Sequence, residues 1–280
     1  MDELIVVNPV FDSHGAQKEN IFIAQDQDGE ALGSVRIYPF FDEAVEPDHP
    51  HNLYLHFHPE GDKYLSDPIK DLLEHALQRS VEIKAEERQP KTRVYGCFLK
   101  HQRKEIDYFL ERGFLHDEGM LILERIESAA LTAGKLPAGF TIQTWRIDNE
   151  EEQRQFLMAH RQVFARHAYN AQRLGELKAK PGWENFTAFC ESEIIGNIMV
   201  FLKPEDEGIG YMEDLFVIKR WRRNGIGRCL LSTALGHFYN QGIHRVQLEF
   251  WSANKPVLAL YQTYGFSSID ETEIAVGRYV

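Results

Sequence analysis

Apolar and polar positions along the chain follow two periods in turn. Period two at residues 20–24 and 31–38 predicts two strands joined across Asp28-Gly29, a hairpin. Residues 51–57 read as a further strand. Ile69, Leu72, Leu73, Ala76 and Leu77 then recur at helical spacing, with Pro68 in the first turn, and predict a helix over 67–87. The small-residue stretch 128–137, closed by Pro137, predicts a linker before the strand-like 140–145. Beyond it the pattern predicts a long helical stretch over 150–173, strands at 187–191, 194–201 and 212–217, a helix at 227–239, a strand at 245–250 and a helix at 256–264. Alternating elements of this kind imply an α/β protein, a mixed sheet with helices on its faces.

The two halves are related. A shift of 152 residues lays Arg93, Val94 and Phe98 on Arg245, Val246 and Phe250, and Gly113-Phe114 on Gly265-Phe266. A shift of 160 lays the strand ending at Phe57 on the one ending at Val217. A duplicated domain is the economical account, with domains at 1–127 and 138–280.

Composition narrows the class. With 280 residues, 43 % hydrophobic and 26 % charged, the chain is ordinary for a globular protein of about two domains. No apolar run approaches the roughly 18 residues of a membrane span, and Met1-Asp2-Glu3 is acidic where a signal peptide is basic. Cys97, Cys190 and Cys229 are odd in number and widely spaced, which predicts neither a disulfide framework nor a zinc site. The expected compartment is a reducing cytoplasm. Of the net charge of −12, all falls in residues 1–130, with 26 acidic and 14 basic residues; residues 131–280 carry 17 of each. An acidic half argues against a nucleic-acid partner and favours cationic small molecules or basic peptides. His56 and His58 have the spacing of two ligands on a strand but no evident third, so no metal is expected.

The strongest chemical signal runs from Met212 to Leu231. A strand enters the turn Arg222-Arg-Asn-Gly-Ile-Gly227 and then an amphipathic helix. Glycines admit a tight turn, helix-start N–H groups face an anion, and Arg220, Arg222, Arg223 and Arg228 add phosphate donors. Leu230 stands where a dinucleotide fingerprint needs its third glycine, and no GKS or GKT follows, so Rossmann and P-loop readings lose ground. A capped helix with solvated arginines remains an equal reading of this segment alone. A second constellation places Asn254 after a strand and Tyr261 seven residues on, before Gly265-Phe266. Taken alone, Tyr261 reads as a core aromatic.

Together these residues resemble the GNAT N-acetyltransferase superfamily over residues 140–280. Its (Q/R)xxGx(G/A) motif is met by Arg222, Gly225 and Gly227, and its later Asn…Tyr…Gly-Phe pattern by Asn254, Leu260-Tyr261 and Gly265-Phe266. The resemblance implies a mixed sheet splayed between its fourth and fifth strands, with acetyl-CoA as co-substrate in the gap. By position, Leu215, Phe216 and Val217 would pair with the pantetheine arm. Arg222, Arg223, Asn224, Gly225, Ile226, Gly227 and Arg228 would hold the pyrophosphate. Asn254 would hydrogen-bond the pantetheine, and Tyr261 would serve the leaving thiolate. Two carboxylates compete as base, Glu213 and Glu249; alternation would put Glu213 on one face with Leu215 and Val217, and Asp214 on the other. Under the two shifts Tyr261 corresponds to Phe109, Asn254 to Gln102, and Arg222, Gly225 and Gly227 to Asp62, Leu65 and Asp67, which implies a degenerate N-terminal copy. The expected function is acetyl transfer to the amine of a small cationic molecule or peptide by direct attack. Its rivals are a non-catalytic acyl-CoA-binding module and a nucleotide-binding domain of another fold. Neither the acceptor nor the oligomeric state, homo-oligomer included, is fixed by the sequence.

Overall fold

The computed structural model describes residues 5–9, 16–41, 51–59, 68–126, 136–164 and 168–280. In chain order the elements are β1 (Ile5–Val7), β2 (Ile21–Gln25), β3 (Ala31–Phe41), β4 (His51–Pro59), α1 (Pro68–Glu86), β5 (Arg93–Leu99), α2 (Arg103–Leu110) and β6 (Leu115–Ile126). They continue with β7 (Phe140–Thr144), α3 (Glu150–Phe164), α4 (Ala171–Lys178), β8 (Glu184–Cys190), β9 (Glu193–Lys203) and β10 (Asp206–Val217). The last are α5 (Ile226–Asn240), β11 (Arg245–Trp251), α6 (Lys255–Thr263) and β12 (Ser267–Tyr279). The alternation of strand and helix makes this a mixed α/β protein, as its apolar periods require.

Two compact units share the chain. The first holds Met1–Leu121, Trp251–Lys255 and Glu271–Val280, the second Ile122–Phe250 and Pro256–Asp270. Compactness thus assigns two late stretches to the first unit, whereas the domains expected by duplication are contiguous. Most of the expected linker lies outside the described residues.

In the first unit the strands run β1-β2-β3-β4-β5-β12. The β2–β3 hairpin turns where Gly29 takes a φ of +84°. Among the described residues of this unit only β4 and β5 pair in parallel, from Asn52↔Arg93 to Leu55↔Gly96, and β12 runs antiparallel to β5 from Glu273↔Leu99 to Tyr279↔Arg93. Alternation sends Val35, Ile37, Leu53, Leu55 and Val94 to one face, where they pack on Leu72, Leu73, Ala76 and Ile83 of α1 and on Ile106 and Phe109 of α2. Ile274 and Val276 of β12 join that core.

In the second unit β7, β8, β9 and β10 are successively antiparallel, β11 lies parallel to β10, and the 122–126 end of β6 flanks β11. Phe156 and Ala159 of α3 and Leu174 and Leu177 of α4 cover Met199, Phe201 and Phe216. On the opposite face α5 comes close enough that a Cβ on Gly196 would lie 3.1 Å from Leu230 and 2.8 Å from the Phe216 carbonyl, so that position admits no side chain. The single helix expected over 150–173 is two. Helix α4 begins afresh at Asn170, whose Oδ1 accepts from the Arg173 N–H at 2.8 Å.

The shift of 152 residues found in the sequence corresponds to matched elements. Strand β5, helix α2, Gly113 (φ +79°) and β6 begin 152 residues before β11, α6, Gly265 (φ +82°) and β12. Because β12 closes the first unit's core, deleting residues 271–280 is expected to remove amide protection across Arg93–Leu99, read by hydrogen exchange with mass spectrometry; protection retained there would contradict that role.

Candidate active site

The site starts from an interruption. Strands β10 and β11 pair over only Ile209↔Arg245, Gly210↔Val246 and Tyr211↔Gln247. Beyond Tyr211 no register joins them among the described residues, while β10 stays paired to β9 through Phe216↔Asn197 and Val217↔Gly196. The edge of β10 from Met212 to Val217 that faces β11 is therefore open to another extended backbone, a parallel pair that stops half-way.

A bulge lies on the same stretch. The register with β9 slips by one residue between Glu213↔Met199 and Phe216↔Asn197, and Asp214 takes a φ of +53°. This corrects the simple alternation. Glu213 and Phe216 share the face toward α3 and α4, Asp214 joins them there, and Val217 faces the other way, 3.6 Å from where a Gly227 Cβ would stand. Phe216 is buried, and Leu215 and Val217 are half-buried, leaving their backbone as the functional part.

After β10 the chain turns through Arg222 to Gly225 into α5. Arg223 (φ +66°) and Gly225 (φ +78°) are both left-handed, and Gly225 is the N-cap with no side chain to close the helix start. The first backbone hydrogen bond of that start is Cys229 N–H to the Gly225 carbonyl, 3.1 Å, so the N–H groups of Ile226, Gly227 and Arg228 have no backbone acceptor among the described residues. Turn amides alternating in hand, followed by an uncapped helix, form an anion-binding concavity. Arg222, expected as a phosphate donor, spends its Nε on the Val217 carbonyl at 3.0 Å, and Asn224 donates to the Trp221 and Arg222 carbonyls; both brace the turn. Arg220 pairs with Glu193, whereas Arg223 and Arg228 are exposed.

Tyr261, on α6, is 7 % exposed and lies edge-on between Phe250 (5.8 Å) and Phe266 (5.7 Å). Burial first, then the charge of Asp214, pushes its phenol above the usual tyrosine range. The first unit repeats the same triangle with Phe109 between Phe98 (5.0 Å) and Phe114 (4.9 Å), without the hydroxyl. Asn254 precedes α6 and groups with the first unit.

Of the two rival carboxylates, Glu249 is exposed on β11. Glu213 has a side chain 19 % exposed, takes a hydrogen bond from the Tyr169 hydroxyl at 2.8 Å and faces Arg173 at 3.3 Å. Burial, followed by the neighbouring Asp214, raises its carboxyl above the usual range. Asp214 in turn meets His160 Nε2 at 2.9 Å. Tyr169, Arg173 and His160 are not legible as site residues, because nothing in the sequence around α3 and α4 indicates that they meet a strand 40 or more residues away.

Residues 142–266 match the Acetyltransferase (GNAT) family. Residues 142–266 are a GNAT acetyltransferase domain. The mycothiol acetyltransferase of Nocardioides sp. is 24 % identical over 57 % of this chain and 60 % of its own length, and that of Thermobispora bispora 26 % over 52 % of each. The chain thus spans between half and three-fifths of the curated relatives it matches. A GCN5-related N-acetyltransferase from Sphaerobacter thermophilus superposes over 95 % of this chain and 82 % of its own with a TM-score of 0.52 at 15 % identity, a likeness of fold.

GNAT enzymes use acetyl-CoA as co-substrate, and the residues present fit it. An open strand edge suits the amide-bearing pantetheine, and the glycine turn suits the diphosphate. Gly225→Val is expected to raise the KM for acetyl-CoA and to cost about 1–2 kcal/mol of stability through its left-handed φ, measured by steady-state kinetics and chemical denaturation. An unchanged KM would separate the turn from coenzyme binding.

Proposed function

We propose that the GNAT domain transfers the acetyl group of acetyl-CoA to a primary amine of a small cationic molecule or peptide by direct attack. The observation that carries this reading is a desolvated carboxylate, Glu213, hydrogen-bonded to Tyr169 beside the open edge of β10. The buried Tyr261 phenol lies in reach of the same neighbouring charge, Asp214. An acceptor ammonium titrates near 10 and must lose a proton before it can attack. Glu213, with its proton affinity raised by burial, is the better base, and Glu249, exposed, the lesser one. Glu213 takes the ammonium proton and the amine's lone pair attacks the thioester carbonyl. The C–S bond then breaks as Tyr261 gives its hydroxyl proton to the departing sulfur, and the second proton that nitrogen sheds on becoming an amide returns to the phenolate. Burial makes Tyr261 a weaker acid, but the same low dielectric raises the basicity of the thiolate, so donation stays near balance. Leu215, Phe216 and Val217 supply backbone partners, and Arg223, Asn224, Ile226, Gly227 and Arg228 the diphosphate cradle.

Acceptor choice rests on charge. Glu213 and Asp214 present an anionic end to the cleft, which suits an ammonium. The relatives' acetyl transfer supports the reaction class. We further propose that residues 1–127 are a degenerate copy; Phe109 in place of a phenol supports this, while the counterparts of the glycine turn at 62–67 lie outside the described residues.

Free-thiol release from acetyl-CoA with spermidine, kanamycin and a free-amine peptide tests the reading; no amine-dependent release with a wide amine panel would falsify it. Tyr261→Phe should lower kcat by about 10- to 100-fold with the KM for acetyl-CoA unchanged. Wild-type kcat/KM for the amine should rise with pH through the raised titration of Glu213, since only the carboxylate accepts a proton, and Glu213→Gln should abolish that limb. A limb that persists in Glu213→Gln assigns the base elsewhere.

A further inference from the structure

Tyr264 has no part in the reaction as proposed, yet its side chain joins two elements of the site. It closes α6 three residues after Tyr261 and reaches into the first turn of α5. Its hydroxyl oxygen stands 3.1 Å from the Arg228 carbonyl and 3.0 Å from Ser232 Oγ. The chemistry of the groups fixes the direction of both bonds. A carbonyl can only accept, so the one phenol hydrogen goes to Arg228, and the Ser232 hydroxyl donates to the phenol oxygen. Ser232 is 3 % exposed, which shields that second bond from solvent. The contact lands on the turn whose Ile226, Gly227 and Arg228 N–H groups have no backbone acceptor.

The other end of the contact is closed tightly. The Tyr261 carbonyl accepts from the Tyr264 N–H at 3.0 Å and from the Phe266 N–H at 3.2 Å, which makes a compact turn of the backbone between the two tyrosines. The Tyr261 ring is itself wedged between Phe250 and Phe266. From the Arg228 carbonyl to that ring every link is a hydrogen bond, a closed turn or an edge-on contact. The first unit has no such tie among its described residues. Under the shift of 152 Arg112 stands for Tyr264, and its guanidinium turns back onto its own helix, giving Nη1–H to the Tyr108 carbonyl at 3.1 Å. Under the shift of 160 Leu72, a core residue of α1, stands for Ser232. The unit with Phe109 for the phenol therefore lacks the tie as well, so packing of the fold does not require it.

We infer that Tyr264 is a positioning residue that fixes α6 to the first turn of α5, so that a coenzyme gripped at its diphosphate meets the Tyr261 hydroxyl at one set distance. The inference rests on the reading of the Gly225 turn as the diphosphate cradle and of Tyr261 as donor to the sulfur. The pantetheine arm between those two points is a chain of rotatable bonds. Holding its diphosphate end places its sulfur only if the two protein elements that meet the ends keep their spacing. An error of about 1 Å there can cost about 100-fold in rate. Binding energy from the nucleotide, remote from the reacting atoms, is in this way put to use at the thioester.

Tyr264→Phe removes the hydroxyl and keeps the ring. The probe is adenosine 3′-phosphate 5′-diphosphate, the nucleotide end of the coenzyme without its pantetheine, and hydrogen exchange of the full chain by mass spectrometry is the readout. In the wild type the probe should slow exchange about tenfold over residues 226–232 and over 261–266. In Tyr264→Phe the slowing over 226–232 should persist and that over 261–266 should be lost. With acetyl-CoA and the best amine of the panel, the variant's kcat should fall about tenfold with the KM for acetyl-CoA unchanged. Equal slowing over 261–266 in wild type and variant overturns the tie, as does its absence from a wild type protected over 226–232. No slowing over 226–232 in the wild type overturns the cradle itself, and the inference with it. A lost response over 261–266 with full kcat overturns the part the tie plays in the reaction.

Discussion

Two strands that begin as a hydrogen-bonded pair and then part must find other partners for the backbone groups they release. Buried N–H and C=O groups left unmade cost as much as a lost hydrogen bond. In the second unit β10 meets this by keeping β9 on one side to the end, Val217 with Gly196, while its other side is bare after Tyr211. The extra residue in the bulge adds local twist at the point where the pairing stops, which bends the end of β10 out of line. One irregularity thus opens an edge to an amide-bearing ligand and swings two acids onto the face toward α3 and α4.

The cleft is polarised along its length. At the turn into α5 unpaired amides, the helix start and two exposed arginines offer positive potential. At the bulge, Glu213 and Asp214 offer negative potential, and that of Asp214 is felt as far as the Tyr261 phenol. Such a field would favour one orientation of a coenzyme that carries phosphates at one end and a thioester at the other. The balance of 17 acidic and 17 basic residues after position 130 therefore hides two separated charges.

How far the sequence discloses this depends on how local each cause is. The glycine turn is legible because its chemistry lies within six consecutive residues, 222–227, and the strand before and helix after it are strongly apolar. The bulge is not: Met212-Glu-Asp-Leu-Phe-Val217 alternates well enough to read as a plain strand, and the slip is set by pairing with β9. His160 and Tyr169 sit on a surface helix and in a loop, where a polar side chain is unremarkable until the fold brings it to β10. Strands β6 and β12 also escape, because Leu115–Ile126 and Ser267–Tyr279 mix charged and apolar residues on both faces, and residues 115–121 and 271–279 group with one unit, 122–126 and 267–270 with the other.

The paired aromatic triangles show which part of this design is packing and which is chemistry. Phe98 and Phe114 flank Phe109 as Phe250 and Phe266 flank Tyr261, with a glycine of positive φ before the third ring in each. The ring alone satisfies the core, since Phe109 is fully buried in its own unit. A hydroxyl in such a place gains nothing from apolar neighbours and costs about 1–3 kcal/mol when it lacks a partner. Its presence on Tyr261 and absence from Phe109 is therefore a difference that packing does not call for. It is the difference that the proposed role of Tyr261 at the coenzyme sulfur would account for.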